Sequence, residues 1–242
     1  MMWPFSRIGL WLRRRNIAAI HQRHRRLNTP AYAGIDEVLR KFRDAGGLRH
    51  DFQPYKLFQL QQILVRFRPT SILEYGSGSS TSVFAAHVRT HGGQLRSIDE
   101  SAAWLDNARR LAGIEVGDSH FELRNADPVV GTLDGVPAVG YGLVPDRYFD
   151  LIFVDGPSLR IEGVKRKDAV NDDVFRQLRV FPPRVIVVDG RHATVRALEQ
   201  ALRGRYDCTE TALMGERLAD DYEYFSIFTR IGDPAGHDLP SP

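Results

Sequence analysis

The stretch Ser71–Val88, "SILEYGSGSSTSVFAAHV", decides the fold. It passes from an apolar, strand-like run through a Gly/Ser turn into an apolar, helix-like run. Gly76 and Gly78 let the backbone turn tightly and present N–H groups to a ligand at the following helix's N-terminus. Ser80, Thr81 or Ser82 can cap that helix. The odd residue is Glu74, two places before Gly76. A loop that holds phosphate avoids such a charge, because a poorly screened carboxylate repels a pyrophosphate by roughly a few kcal/mol. The loop contains no lysine, so it is not a P-loop, and Thr81 stands where G-x-G-x-x-G requires its third glycine. A cationic ligand reverses the sign of the problem.

Around this stretch, helical and strand-like patterns alternate. Apolar spacing predicts a helix over 34–45, ended by Gly46-Gly47, and a second from Pro54 with Leu57, Leu60, Leu64 and Phe67 inward. The strand-like runs are "SILEY" (71–75), "QLRSI" (94–98), "HFELR" (120–124), "FDLIFV" (149–154) and "RVIVV" (184–188), with further helices over 101–112 and 192–203. This alternation implies βαβ units and a parallel sheet. The runs "RYDCTETAL" and "DYEYFSIFTR" have no helix between them and read as an antiparallel hairpin at the sheet's edge. The expected fold is therefore α/β, a doubly wound, mainly parallel seven-stranded sheet with a terminal antiparallel hairpin and an N-terminal helical arm. Such sheets bind ligands outside the carboxyl ends of their strands, where strand order switches. That rule selects the loop after Tyr75, Asp99, the Asn125-Ala126-Asp127 turn, Asp155 and Asp189.

"LEYGSGSST", then "SIDES" and "YFDLIFVDGP", resemble the first, second and fourth motifs of class I S-adenosylmethionine-dependent methyltransferases. The likeness spans about residues 55–230; Ser80 departs from it where many members carry a third glycine. It implies S-adenosylmethionine, a cation without phosphate, as cofactor. By the same resemblance Glu74, Gly76, Gly78 and Asp99 contact that cofactor, with Tyr75, Ser77 and Glu100 beside them. Asp99 is expected on the ribose hydroxyls, Glu74 near the cationic end, and Ala126 and Asp127 flanking the adenine.

Methyl transfer to a hydroxyl needs an acceptor held in line and a group to take its proton. "FVDG" and "VVDG" end strands expected to be neighbours, so Asp155 and Asp189 converge on one crevice. In one arrangement Asp155 is the base, also touching the cofactor, while Asp189 or His192 positions the acceptor. In another, resembling catechol-type O-methyltransferases, both aspartates hold Mg²⁺; there an Asn ligand follows directly, whereas Gly190 has no side chain, so no metal is expected. His192 equally suits the start of a helix. The basic segment "SLRIEGVKRKDAVNDD" (158–173) suits a lid or a solvated face. "VDGP" with a later "VDGR" loosely resembles polysaccharide (glucuronoxylan-type) O-methyltransferases, which implies a glycan or other small hydroxyl acceptor.

Seven arginines and no acid lie within residues 1–27, leaving −4 on the rest of a chain of net charge +3. The apolar residues Trp3, Phe5, Ile8 and Trp11 precede the main arginine run, the reverse of a signal peptide, and no apolar run approaches the ~20 residues that span a bilayer. Such an arm suits peripheral contact with an anionic membrane or docking on a partner. The rest of the chain has no basic stripe for nucleic acid. A single cysteine, Cys208, excludes an intrachain disulfide and fits the cytoplasm. The expected division is 1–53 basic helical arm, 54–230 methyltransferase-like domain and 231–242 disordered tail. The competing expectation is a non-catalytic binding protein of the same fold, recruited by its arm.

Overall fold

The computed structural model describes residues 19, 21–46, 53–161, 164–210 and 225–232. Most of the basic segment 1–27, and the tail from 233, lie outside these described residues. Residues 21–27 are helical, and α1 (Thr29–Asp44) and α2 (Gln53–Phe67) follow. Then β1 (Ser71–Tyr75), α3 (Ser79–His91), β2 (Gln94–Asp99), α4 (Ala102–Leu111) and β3 (Phe121–Asn125) alternate. A hairpin of β4 (Val129–Leu133) and β5 (Val136–Gly140) precedes β6 (Leu151–Val154). The short strands β7 (Arg160–Ile161), β8 (Val164–Lys165) and β9 (Val170–Asn171) lead into α5 (Asp172–Val180). The chain closes with β10 (Val185–Asp189), α6 (His192–Ala201), β11 (Tyr206–Glu210) and β12 (Phe225–Arg230).

Seven strands form one sheet in the order β11-β12-β10-β6-β1-β2-β3. β1 lies between β6 and β2, so strand order reverses there, the crevice position of a doubly wound sheet. The expected terminal hairpin is present, with one refinement: β12 pairs antiparallel with both β10 and β11, so the last strand inserts inside the edge.

The sheet is buried on both faces, and the period of two along each strand shows it. Ile72, Leu151, Phe153, Val185 and Val187 share one core with α1, α2 and α3. Leu73, Tyr75, Ile152, Val154, Ile186 and Val188 share the other with α5 and α6. In α1, Tyr32, Ile35 and Leu39 are buried in the first of these cores, so part of the expected arm packs on the body. Among the described residues no helix is long and apolar enough to cross a membrane. Cys208 is exposed on β11 and forms no disulfide among the described residues.

Between Asn125 and Asp172 the sequence patterns gave one strand, and the chain forms more. The β4–β5 hairpin turns on Asp134 and Gly135, both at positive φ, the demand of a two-residue hairpin turn. The end of the basic segment 158–173 is no lid: Ala169, Val170, Asn171 and Asp173 are buried, and β9 pairs with β5.

Candidate active site

Glu74 points into the protein. Its side chain lies beside Ser97, its register partner on β2, and is 0% exposed. Ser80 Oγ donates to Oε1 at 2.5 Å; Thr81 Oγ1 and Ser97 Oγ donate to Oε2 at 2.7 and 2.6 Å. Gly78 N in turn donates to Thr81 Oγ1 at 2.9 Å. Burial pushes the Glu74 carboxyl up to about 7, against the pull of the three hydroxyls and with a contribution from the Asp155 charge. The expected direct approach to a cationic ligand is therefore corrected: Glu74 braces the loop from behind, and Ser80, the departure from the glycine pattern, is one of the hydroxyls that it holds.

Asp99, at the end of β2, is 7% exposed, and both its oxygens meet backbone. Ser77 N donates to Oδ2 at 2.9 Å and Ser101 N to Oδ1 at 2.8 Å. Burial raises its pKa above the usual carboxylate range, and the Ser101 N–H opposes that. Its carbonyl accepts from Ala126 N at 3.1 Å, which draws the turn after β3 alongside. Asp127 stands exposed on that turn. Glu100 joins other loops: Tyr141 Oη donates to Oε2 at 2.8 Å and Ser158 N to Oε1 at 2.9 Å. Tyr75 is buried, with its ring near that of Tyr141, and its carbonyl accepts from Asp155 N at 2.9 Å.

The loops after β1 and β6 touch through their backbones. Gly76 has φ +91°, and a Cβ there would stand 2.6 Å from Gly156 N. A Cβ on Gly156 would come within 2.6 Å of Tyr141 Oη. Any side chain at either position forces the loops apart. The second loop is also pinned from below, where Asn171 Nδ2 donates to Gly156 O at 2.8 Å and Arg191 Nη2 to Asp155 O at 2.7 Å. Arg191 Nη2 donates to Pro157 O as well, and the residue is 5% exposed.

Beside the glycine loop lies a small cleft of about 120 Å³ whose lining includes Gln53, Lys56, Ser77, Gly78, Asp155 and Asp189. Asp155 and Asp189 end the paired strands β6 and β10 and are thus brought together as expected. Asp155 opens on the cleft, yet protein crowds its other sides, and this raises its pKa, helped by the Asp189 charge and opposed by Lys56 and Arg191. Lys56 Nζ forms an ion pair with Asp189 Oδ1, both side chains only 13% exposed. Gln53 Nε2 donates to Ser79 Oγ at 2.6 Å, so the first turn of α2 holds both ends of the cleft. His192 is the first residue of α6 and is not among the residues that line the cleft.

Lys56, Tyr141, Asn171 and Arg191 are the participants that sequence patterns missed. For Lys56 a signal existed: it and Gln53 extend the inward stripe of Leu57, Leu60 and Leu64, where a charge needs a partner.

No protein-family model and no curated protein matches the sequence. Solved structures do match its fold. A Klebsiella pneumoniae protein assigned as an O-methyltransferase has TM-score 0.54 at 21% identity, over 83% of this chain and 90% of that one. The Bacillus cereus O-methyltransferase in complex with SAH (S-adenosylhomocysteine) has TM-score 0.54 at 19% identity, over 82% and 91%. The SAH-bound Podospora anserina methyltransferase PaMTH1 has TM-score 0.51 at 13% identity, over 81% and 88%. The chain thus has the Rossmann-like fold of class I methyltransferases.

Proposed function

We propose that this chain is a methyltransferase that uses S-adenosylmethionine and methylates a hydroxyl of a small-molecule, glycan or lipid-linked acceptor. The observation that carries this reading is the pair Asp155 and Asp189 at the carboxyl ends of adjacent parallel strands, beside a glycine loop, with Asp189 alone of the two held in an ion pair among the described residues. The loop's chemistry fits the cofactor. It has no basic side chain for a phosphate, and Asp99, Glu100 and Asp127 supply acceptors for ribose hydroxyls and an adenine amine. The backbone of Tyr75, Gly76, Ser77 and Gly78 would lie against the ligand, with Ala126 at the adenine and Glu74 acting through the loop.

Bound there, S-adenosylmethionine supplies a methyl group already activated by its positive sulfur. Asp155 takes the proton of the acceptor hydroxyl, and its raised pKa brings it nearer the neutral range in which a carboxylate base is effective. Asp189 orients the acceptor. Mg²⁺ does not fit this site: an ammonium already occupies Asp189, Gly190 brings no donor, and among the described residues no three His, Cys, Asp or Glu side chains cluster. No step runs through a metal.

Calorimetric titration with S-adenosylmethionine and SAH, followed by transfer of labelled methyl to a panel of hydroxyl acceptors, tests the reading. Micromolar binding with turnover is expected. Binding without turnover on any acceptor favours a non-catalytic binding protein, and no binding of either ligand overturns the assignment. In the same reading residues 1–27 rest on an anionic membrane face. Deleting residues 1–18, which leaves α1 in place, should abolish co-sedimentation with phosphatidylserine vesicles; equal sedimentation would refute the contact.

A further inference from the structure

The cleft holds two carboxylates and one ammonium, and the ammonium comes from far away in the chain. Lys56 stands in the first turn of α2, on the face shared with Gln53, Leu57 and Leu60, all four of which line the cleft. It reaches Asp189, 133 residues later, and packs over the Phe225 ring at 5.8 Å. Asp155 shares the cleft, and among the described residues no hydrogen bond to its carboxylate oxygens is found. Asp155 ionises in the field of the Asp189 charge, so the cation held on Asp189 decides how readily Asp155 gives up its proton.

We propose that Lys56 is a positioning residue: by holding Asp189 in an ion pair, it leaves Asp155 as the one carboxylate of the cleft free to take the acceptor's proton. This rests on the methyl-transfer reading. Without the ammonium, Asp189 becomes a bare neighbouring charge and Asp155 resists ionisation. The other groups that act on Asp155 are Arg191 after β10, Asp99 at the end of β2 and Glu74 on β1. Arg191 is committed to the carbonyls of Asp155 and Pro157, Asp99 to two backbone N–H groups and Glu74 to three hydroxyls. Lys56 is thus the adjustable charge, delivered by a helix that also grips the glycine loop through Gln53.

The test compares wild type, Lys56→Met and Lys56→Arg, each checked for folding by thermal melt. In Lys56→Met the acidic limb of the kcat–pH profile should move up by about one unit, because the Lys56 charge lowers the Asp155 pKa across the cleft and its loss leaves the Asp189 charge unopposed. With the Asp155 carboxyl pushed up to about 7, a one-unit rise lowers the rate at pH 7 about fivefold, SAH affinity holds, and Lys56→Arg restores the limb. An equal loss at every pH, or an unmoved limb, overturns the proposal. Carbon-13 NMR of labelled aspartates, read without turnover and assigned with Asp155→Asn, separates this from the functional reading. The Asp155 titration should rise by about one unit in Lys56→Met. If wild type transfers no methyl, the functional reading falls, and an unmoved NMR titration removes Lys56's hold on the pair as well.

Discussion

The two ends of the crevice use acids in opposite ways. At the glycine loop, Glu74 and Asp99 are taken up by donors of the protein itself, five hydrogen bonds in all. At the β6–β10 end, Asp155 has its charge open to the cleft and Asp189 meets a lysine. Saturated acids fix a backbone shape, since each buried hydrogen bond to a charged group stabilises by roughly 1.5–3 kcal/mol. An acid left open in a crowded cleft is costly, and a fold keeps it where chemistry needs it. On the proposed function, the first end is scaffold for the cofactor and the second is equipment for methyl transfer.

The hardest strain on this division comes from Asp155→Asn. The amide keeps the shape and removes the base, so kcat should fall by about 10²–10⁴. SAH affinity should stay within a few fold, because the loop scaffold is untouched. A variant that loses SAH binding while retaining turnover per bound complex would put Asp155 on the scaffold side and erase the contrast.

Glu74→Gln probes the other end through stability. The folded carboxyl titrates near 7 against its ordinary 4.5, because burial favours the neutral form. Between those values the folded state keeps a proton that the unfolded chain has lost. The group's contribution is therefore complete below about 4.5 and fades as pH rises through 7, by ~1.4 kcal/mol per unit and ~3 kcal/mol in total. Glutamine has no such titration. Urea unfolding should show wild type losing ~3 kcal/mol relative to Glu74→Gln between pH 4.5 and pH 8. Parallel pH curves for the two proteins would mean that the three hydroxyls fully offset the cost of burying the Glu74 charge.

How much of this was legible beforehand divides along the same line. The sheet was, because strands buried on both faces read as apolar runs and "LEYGSGSST" marks the turn at the switch in strand order. The convergence of Asp155 and Asp189 followed from strand adjacency alone. The orientation of Glu74 did not follow, since a carboxylate at a strand end can face a ligand or its own loop. Only the placement of Ser80, Thr81 and Ser97 decides between them. Lys56 and Tyr141 stayed hidden because their partners, Asp189 and Glu100, are 133 and 41 residues away. The β4–β5 hairpin was missed although Asp134-Gly135 is a strong turn signal, because β4 is an exposed edge strand without the alternating pattern of half-buried strands.

Asp99 sits on the border between the two uses, and its replacement should have the smallest effect. Each oxygen already accepts one backbone N–H, from Ser77 or Ser101, and each keeps a lone pair. Those spare lone pairs are what a ribose diol would use. Asp99→Ala removes both sets at once, and losing even one hydrogen bond to a charged acceptor weakens SAH binding about tenfold or more. Asp99→Asn halves both roles, since its one carbonyl oxygen still accepts one backbone N–H and one ribose hydroxyl while its amide nitrogen accepts neither, and its affinity should fall between. The chemical step should change little once the cofactor is saturating, because the Asp99 charge acts on Asp155 less than burial, Asp189, Lys56 or Arg191 do. Calorimetry on the three proteins decides the matter: equal SAH affinity throughout would make Asp99 wholly scaffold, and the ribose would then have to be sought at Glu100.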